Sequence, residues 1–97
     1  MREGSEKHIE RKLAEAVKAE GGLCIKLLCD QFSGLPDRLC LFPGGRAVFV
    51  EVKSAGKKPR KLQLIVHGRL RSLGFEVCVI DNVNGIKSII DGQDCQY

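Results

Sequence analysis

Two carboxylates and a lysine define the chemistry this chain could carry. Glu51 and Lys53 stand two apart in the run Arg46-Ala47-Val48-Phe49-Val50-Glu51-Val52-Lys53, whose β-branched and aromatic content predicts a strand. Alternate residues of a strand leave the same face, so the two side chains should sit side by side. An upstream run, Arg38-Leu39-Cys40-Leu41-Phe42, is joined to it by Pro43-Gly44-Gly45, and the pair reads as a β-hairpin. If Phe42 pairs with Arg46 across that three-residue loop, Asp37 falls opposite Glu51, with Cβ atoms about 4.5–5.5 Å apart. Carboxylates so placed repel each other, and a hard divalent cation between them would relieve the repulsion by taking their oxygens as ligands. A four-residue turn or a bulge would reverse the parity and send Asp37 to the other face. Taken singly, an Asp after Pro and a Glu-Val-Lys triplet are ordinary surface patterns. Only their joint order carries information.

The elements that must position these residues follow from spacing. Ser5 is an N-cap candidate, and Ile9, Leu13 and Val17 recur every four residues, predicting an amphipathic helix from Ser5 to Glu20 that Gly21-Gly22 ends. Leu23 to Leu28 is a short apolar β run, and Asp30 to Pro36 a polar loop. After a basic loop from Ser54 to Lys58, Pro59 suits the first turn of a second helix. Leu62, Ile65, Val66, Leu70 and Leu73 are its expected buried stripe, and Gly74 its stop. Residues 75–80 form a fourth strand. Asn82 or Asn84 caps a last helix carrying Ile86, Ile89 and Ile90, and residues 92–97 are an expected loose tail. The β-α-β passage over residues 46–80 implies a right-handed crossover with strand four parallel to strand three. The fold class is α/β, in the order α-β-β-β-α-β-α, with a small mixed sheet flanked by helices.

At 97 residues the chain is short enough for one domain, with a core at about 5–91. Its 43% hydrophobic and 29% charged content is that of a globular protein and argues against disorder. No apolar run approaches the roughly 18 residues of a membrane span, and the N-terminus lacks the apolar stretch of a signal peptide. A cytoplasmic, unsecreted protein is expected. The net charge of +4 is modest, but seven basic residues and no acidic ones lie between Lys53 and Arg71. This segment concentrates positive charge while the remainder is net acidic, as expected of a polyanion binder; a solvated lysine-rich loop is the plainer reading. Five cysteines, odd in number and without a Cys-x-x-Cys pair, argue against zinc or a disulfide framework. Cys24, Cys40 and Cys78 lie inside apolar runs and read as core thiols.

Gly34-Leu35-Pro36-Asp37-Arg38, Phe49-Val50-Glu51-Val52-Lys53, Pro59-x3-Gln63, His67 and the run from Leu70 to Val77 occur in one order. Together they resemble the VRR-NUC domain of the PD-(D/E)XK nuclease superfamily, which has a restriction-endonuclease-like core. The resemblance runs from about Glu6 to Asp81 and is closest to the stand-alone phage and bacterial members. It implies divalent-metal-dependent cleavage of phosphodiesters. Asp37 and Glu51 would bind Mg2+ or Mn2+, with the main-chain carbonyl of Val52 as a further ligand. Lys53 would orient or deprotonate the attacking water, or steady charge on the phosphate. Gln63 matches the helix glutamine that braces such a site. Glu10 matches the acidic residue of the first helix and would complete the metal shell, with Glu6, one turn earlier, as its alternative. For His67, packing or a phosphate contact is expected in preference to catalysis.

The expected function is therefore a metal-dependent, structure-selective DNA endonuclease. Lys57, Lys58, Arg60 and Lys61 would bind the DNA backbone. Few aromatic residues and no base-reading helix favour recognition of shape and phosphate over sequence. Relatives of the stand-alone type imply a homodimer on branched DNA, Holliday junctions included; Leu23–Leu28 and Ile86–Ile90 are either surplus apolar surface for such an interface or core. The rivals are a DNA-binding module of the same fold without catalysis and a small interaction domain.

Overall fold

The computed structural model describes residues 4–92. Ser5 caps the first helix, α1 (Glu6–Ala19), its hydroxyl accepting from the His8 N–H at 3.2 Å. The stripe of Ile9, Leu13 and Val17 is fully buried. Four strands follow: β1 (Leu23–Lys26), β2 (Arg38–Leu41), β3 (Ala47–Val52) and, after the second helix α2 (Lys61–Ser72), β4 (Glu76–Ile80). A last helix, α3 (Gly85–Ile90), closes the order. The strands form one mixed sheet in the order β1-β2-β3-β4. β1, β2 and β3 are antiparallel neighbours, while β4 runs parallel to β3 through the α2 crossover.

The hairpin register is the one that places the two carboxylates opposite each other. Phe42 N donates to Arg46 O at 2.9 Å, and Arg38 pairs with Val50, so the next step pairs Asp37 with Glu51. Gly44 and Gly45, both with φ near +90°, let the loop close in three residues without steric strain.

Strand parity sorts the sheet into two unequal faces. Val48, Val50 and Val52 of β3, with Cys40, Cys78 and Ile80, meet α1 and α3 in a core whose members are at most 8% exposed. Ile86 and Ile89 are part of that core, the second of the two readings the sequence allowed for this segment. Phe49, Glu51 and Lys53 point the other way, toward α2. Leu23 and Ile25 of β1 share their parity and stay 64% and 40% exposed, so the apolar excess expected at Leu23–Leu28 is at the surface.

Helix α2 departs most from expectation. It starts at Lys61, with Pro59 buried in the loop before it. Its buried residues are Gln63, Val66 and His67, whereas Leu62, Ile65 and Leu73 of the expected stripe are 49–67% exposed. The physical reason is Glu51. A carboxylate buried on the facing strand needs polar partners, and the helix turns its polar side inward to supply them. Cys78 also corrects the sequence reading: it is buried, but in a disulfide instead of as a free thiol. The expected tail at 92–97 lies outside the described residues beyond Gly92.

Candidate active site

Glu51 is the centre of the polar cluster on the α2 face. It sits in the middle of the sheet on β3, is 0% exposed, and has a partner on every element it faces. Lys53 Nζ, two residues along the same strand face, lies 3.3 Å from Oε2. Gln63 Nε2 donates to the same oxygen at 3.1 Å. The Gln63 side-chain oxygen accepts from the Arg60 N–H at 2.8 Å at the start of α2. That second bond fixes which end of the amide points where: with the oxygen tied to the helix start, only the NH2 can face Glu51. One turn further on, His67 is fully buried with Nε2 3.4 Å from Glu51 Oε1. No hydrogen-bond donor meets that oxygen among the described residues.

Asp37 enters from the end of β2. The loop before it is set by Gly34, with φ +90°, where an added Cβ would lie 2.8 Å from Val66 Cγ2 and 3.1 Å from Leu62 O of α2. No other residue fits that contact, so the glycine fixes how the loop delivers Asp37 to the sheet. Asp37 Oδ2 accepts the Val52 N–H at 2.9 Å, in the place where a longer β2 would have continued its ladder. The Val52 carbonyl leaves its strand on that same side. Burial pushes the Asp37 carboxyl up to about 6 against the downward pull of the Val52 N–H, with the facing Glu51 and, further off, Glu6 adding to the rise.

This shift carries a pH prediction. The folded protein holds a proton on Asp37 up to about pH 6, whereas the unfolded chain releases it near 3.8. The stabilising contribution of protonated Asp37 is thus complete below pH 3.8 and lost as pH rises through 6. Asp37→Asn keeps the acceptor for Val52 and removes the charge. In the absence of metal it should match wild type near pH 4 and exceed it by about 1–2 kcal/mol at pH 7, once solvent screening of a partly exposed group is allowed for. Urea unfolding in EDTA at the two pH values measures the difference; a gap that does not widen with pH would rule out a raised Asp37 carboxyl.

The same fold is found in a protein of known structure. A solved VRR-NUC domain superposes on this chain with a TM-score of 0.84 at 36% identity, covering 89% of this chain and 94% of that one. A phage protein, "Putative nuclease p44" of Acyrthosiphon pisum secondary endosymbiont phage 1, is 42% identical over 82 residues, 84% of this chain and 88% of its own length. The chain belongs to the VRR-NUC family. No family model matches the sequence. The α/β architecture and the element order expected from the sequence are those of the VRR-NUC fold.

Within this VRR-NUC domain, Asp37, Glu51, Lys53, Gln63 and the Val52 backbone meet at one point on the sheet. Glu10 does not join them directly: Arg38 Nε donates to Glu10 Oε1 at 2.9 Å, and the pair is largely buried on the α1 side. Glu6, exposed one turn earlier, is the α1 acid whose charge acts on Asp37. Lys57, Lys58, Arg60 and Lys61 are exposed along the loop and first turn leading into α2. His67, for which the sequence favours packing over catalysis, is fully buried, and its i, i+4 spacing puts it on one helix face with Gln63.

The donor set fits a hard divalent cation. Two carboxylates face each other, burial and then that proximity raise one of them, and a buried oxygen of the other lacks a donor. No cluster of three or more His, Cys, Asp and Glu side chains able to hold a metal occurs among the described residues. A pair of carboxylates is within what Mg2+ takes from a protein, since it keeps several waters and uses only one or two. No helix among the described residues is long and apolar enough to cross a membrane.

Proposed function

We propose that this chain is a single-domain, divalent-metal-dependent DNA endonuclease, selective for DNA structure and active as a homodimer on branched DNA, including four-way Holliday junctions. The observation that carries the reading is the buried Glu51 carboxylate opposite Asp37, with Lys53 beside it on the same strand face. Asp37, Glu51 and the Val52 carbonyl would hold Mg2+ or Mn2+. Glu6 is the first-helix acid better placed to join them, because Glu10 is engaged by Arg38. Once bound, such an ion polarises the scissile phosphate and makes water a better nucleophile near neutral pH.

The chain's own residues do the positioning. Gln63 and His67 of α2 hold the Glu51 carboxylate in place. Lys53 places a positive charge where negative charge builds on the phosphate during attack, and its amine orients the entering water. Lys57, Lys58, Arg60 and Lys61 engage backbone phosphates beside the site. The kinship with a phage nuclease supports an action inside a bacterial or phage-infected cell, in the cytoplasm.

The exposed apolar side chains support a dimer. Leu23 and Ile25 of β1 share the α2 side of the sheet with Phe75, whose ring stacks edge-on against Phe49 at 5.8 Å. Leu62 and Ile65 stand exposed on α2 itself. Where such side chains form a contiguous apolar patch, they mark an interaction site. A twofold dimer would also supply the second active site that symmetric two-strand incision requires. Sedimentation equilibrium should give twice the 10.7 kDa chain mass. Paired nicks should fall on opposite strands of a synthetic four-way junction. A monomer at tens of micromolar that cuts linear duplex as readily as a junction would refute dimer and selectivity together.

A further inference from the structure

Two thiols outside the active site form a pair. Cys24 and Cys40 are cross-strand partners on β1 and β2, and their sulfurs lie 3.8 Å apart. The Leu27 N–H bonded to the Asp37 carbonyl marks a hydrogen-bonded position of this ladder. Antiparallel positions alternate, so stepping back along the register puts Cys24 and Cys40 at a non-hydrogen-bonded position, where Cα atoms stand about 4.5 Å apart. That separation falls inside the disulfide range of about 4.4–6.8 Å. The two sulfurs differ in access: Cys24 is half-buried and Cys40 fully buried. They differ in charge too. Cys40 donates its S–H to Cys24, which with the nearby Arg38 guanidinium holds the Cys24 thiol down to about 7, while the same sharing and burial push Cys40 up.

We infer that Cys24 and Cys40 are a peroxide-sensitive dithiol, a modification site at which Cys24 reacts first and Cys40 resolves the product into an intrachain disulfide. The Cys24 thiolate takes one oxygen from a hydroperoxide, which leaves as its alcohol or as water, and becomes a sulfenic acid. The Cys40 sulfur then attacks the Cys24 sulfur. The S–S bond forms, the S–O bond breaks, and hydroxide departs with the Cys40 proton as water. The peroxide gains two electrons and the two thiols lose them. A dithiol reductant reverses the bond by exchange. The link ties β1 to β2 three residues from Asp37, on the strand that ends at the active site.

Peptide mapping tests this. The intact protein is treated with equimolar hydrogen peroxide, blocked with iodoacetamide and digested with trypsin without reduction. Cleavage after Lys18, Lys26, Arg38 and Arg46 separates the three thiols: Ala19–Lys26 holds Cys24, Leu27–Arg38 holds Cys29, and Leu39–Arg46 holds Cys40. The expected product is Ala19–Lys26 joined to Leu39–Arg46, which dithiothreitol separates again. In the native protein Cys24 should alkylate about tenfold faster than Cys40, or more. Cys40→Ala should leave a Cys24 sulfenic acid that dimedone traps. Cys24→Ser, at the more exposed position, should leave Cys40 unoxidised. Cross-links only through Leu27–Arg38, or wild-type Cys24 oxidised to sulfinic acid beside an intact Cys40, would overturn the inference.

Discussion

Asp37→Asn and Glu51→Gln will each slow DNA strand cleavage by about a thousandfold or more while leaving a folded protein. Both substitutions preserve shape and remove one negative charge, so they weaken metal binding and transition-state stabilisation without opening a cavity. Their effects on stability should differ in sign, which makes the pair more informative than either alone. Asp37→Asn removes a charge that burial and the facing Glu51 disfavour, and the metal-free protein should gain stability near neutral pH. Glu51→Gln takes away the charge that Lys53 pairs with at 3.3 Å. The lysine is partly exposed and can turn toward water, so the loss should be about 1–3 kcal/mol, less than for a fully buried pair. Cleavage rates with metal, set beside urea midpoints in EDTA, read both. Retained activity in either variant would remove that residue from the site.

Lys53→Ala should cost turnover without costing affinity. Its ammonium group stands over the Glu51 carboxylate inside the cluster, so its charge acts where the phosphate reacts. A loss of about 10^2–10^3-fold in single-turnover rate is expected, with DNA Kd changed by no more than about twofold. Lys57, Lys58, Arg60 and Lys61 are exposed outside the cluster and should behave in the opposite way. Alanine at these positions should weaken binding on every DNA sequence. The slope of log affinity against log salt should flatten by about one unit for each phosphate that the protein no longer neutralises. Equal losses of binding and turnover in the two sets would mean that the division between chemistry and backbone binding is misplaced.

The hairpin was legible because its parity rests on one local feature. Three residues, two of them glycine, join two β-rich runs, and that loop length leaves one register. The Asp37–Glu51 opposition and the side-by-side Glu51 and Lys53 follow from it. The α1 stripe was equally legible, since Ile9, Leu13 and Val17 meet an apolar sheet face and nothing competes with periodicity there. Helix α2 was not, because its inner face answers to a tertiary demand. With Glu51 buried opposite, Gln63 and His67 lie inward and several leucines are left exposed, the reverse of what hydrophobic periodicity selects. Glu10 stays apart from Asp37 and Glu51 for a related reason. Arg38 follows Asp37 in the chain but points to the opposite face, where it takes Glu10 as its partner. A pattern read along one helix carries no information about a cation arriving from a strand.

The most direct test of the central claim is the cleavage rate of wild-type protein as divalent metal is supplied and withdrawn. On a synthetic four-way junction, Mg2+ or Mn2+ should support cleavage. Ca2+ should bind with little turnover, because its looser coordination misplaces the attacking water. Excess EDTA should abolish cleavage, and renewed Mg2+ should restore it. Undiminished cleavage in excess EDTA would contradict the account, because Asp37 and Glu51 would then have no ion to hold.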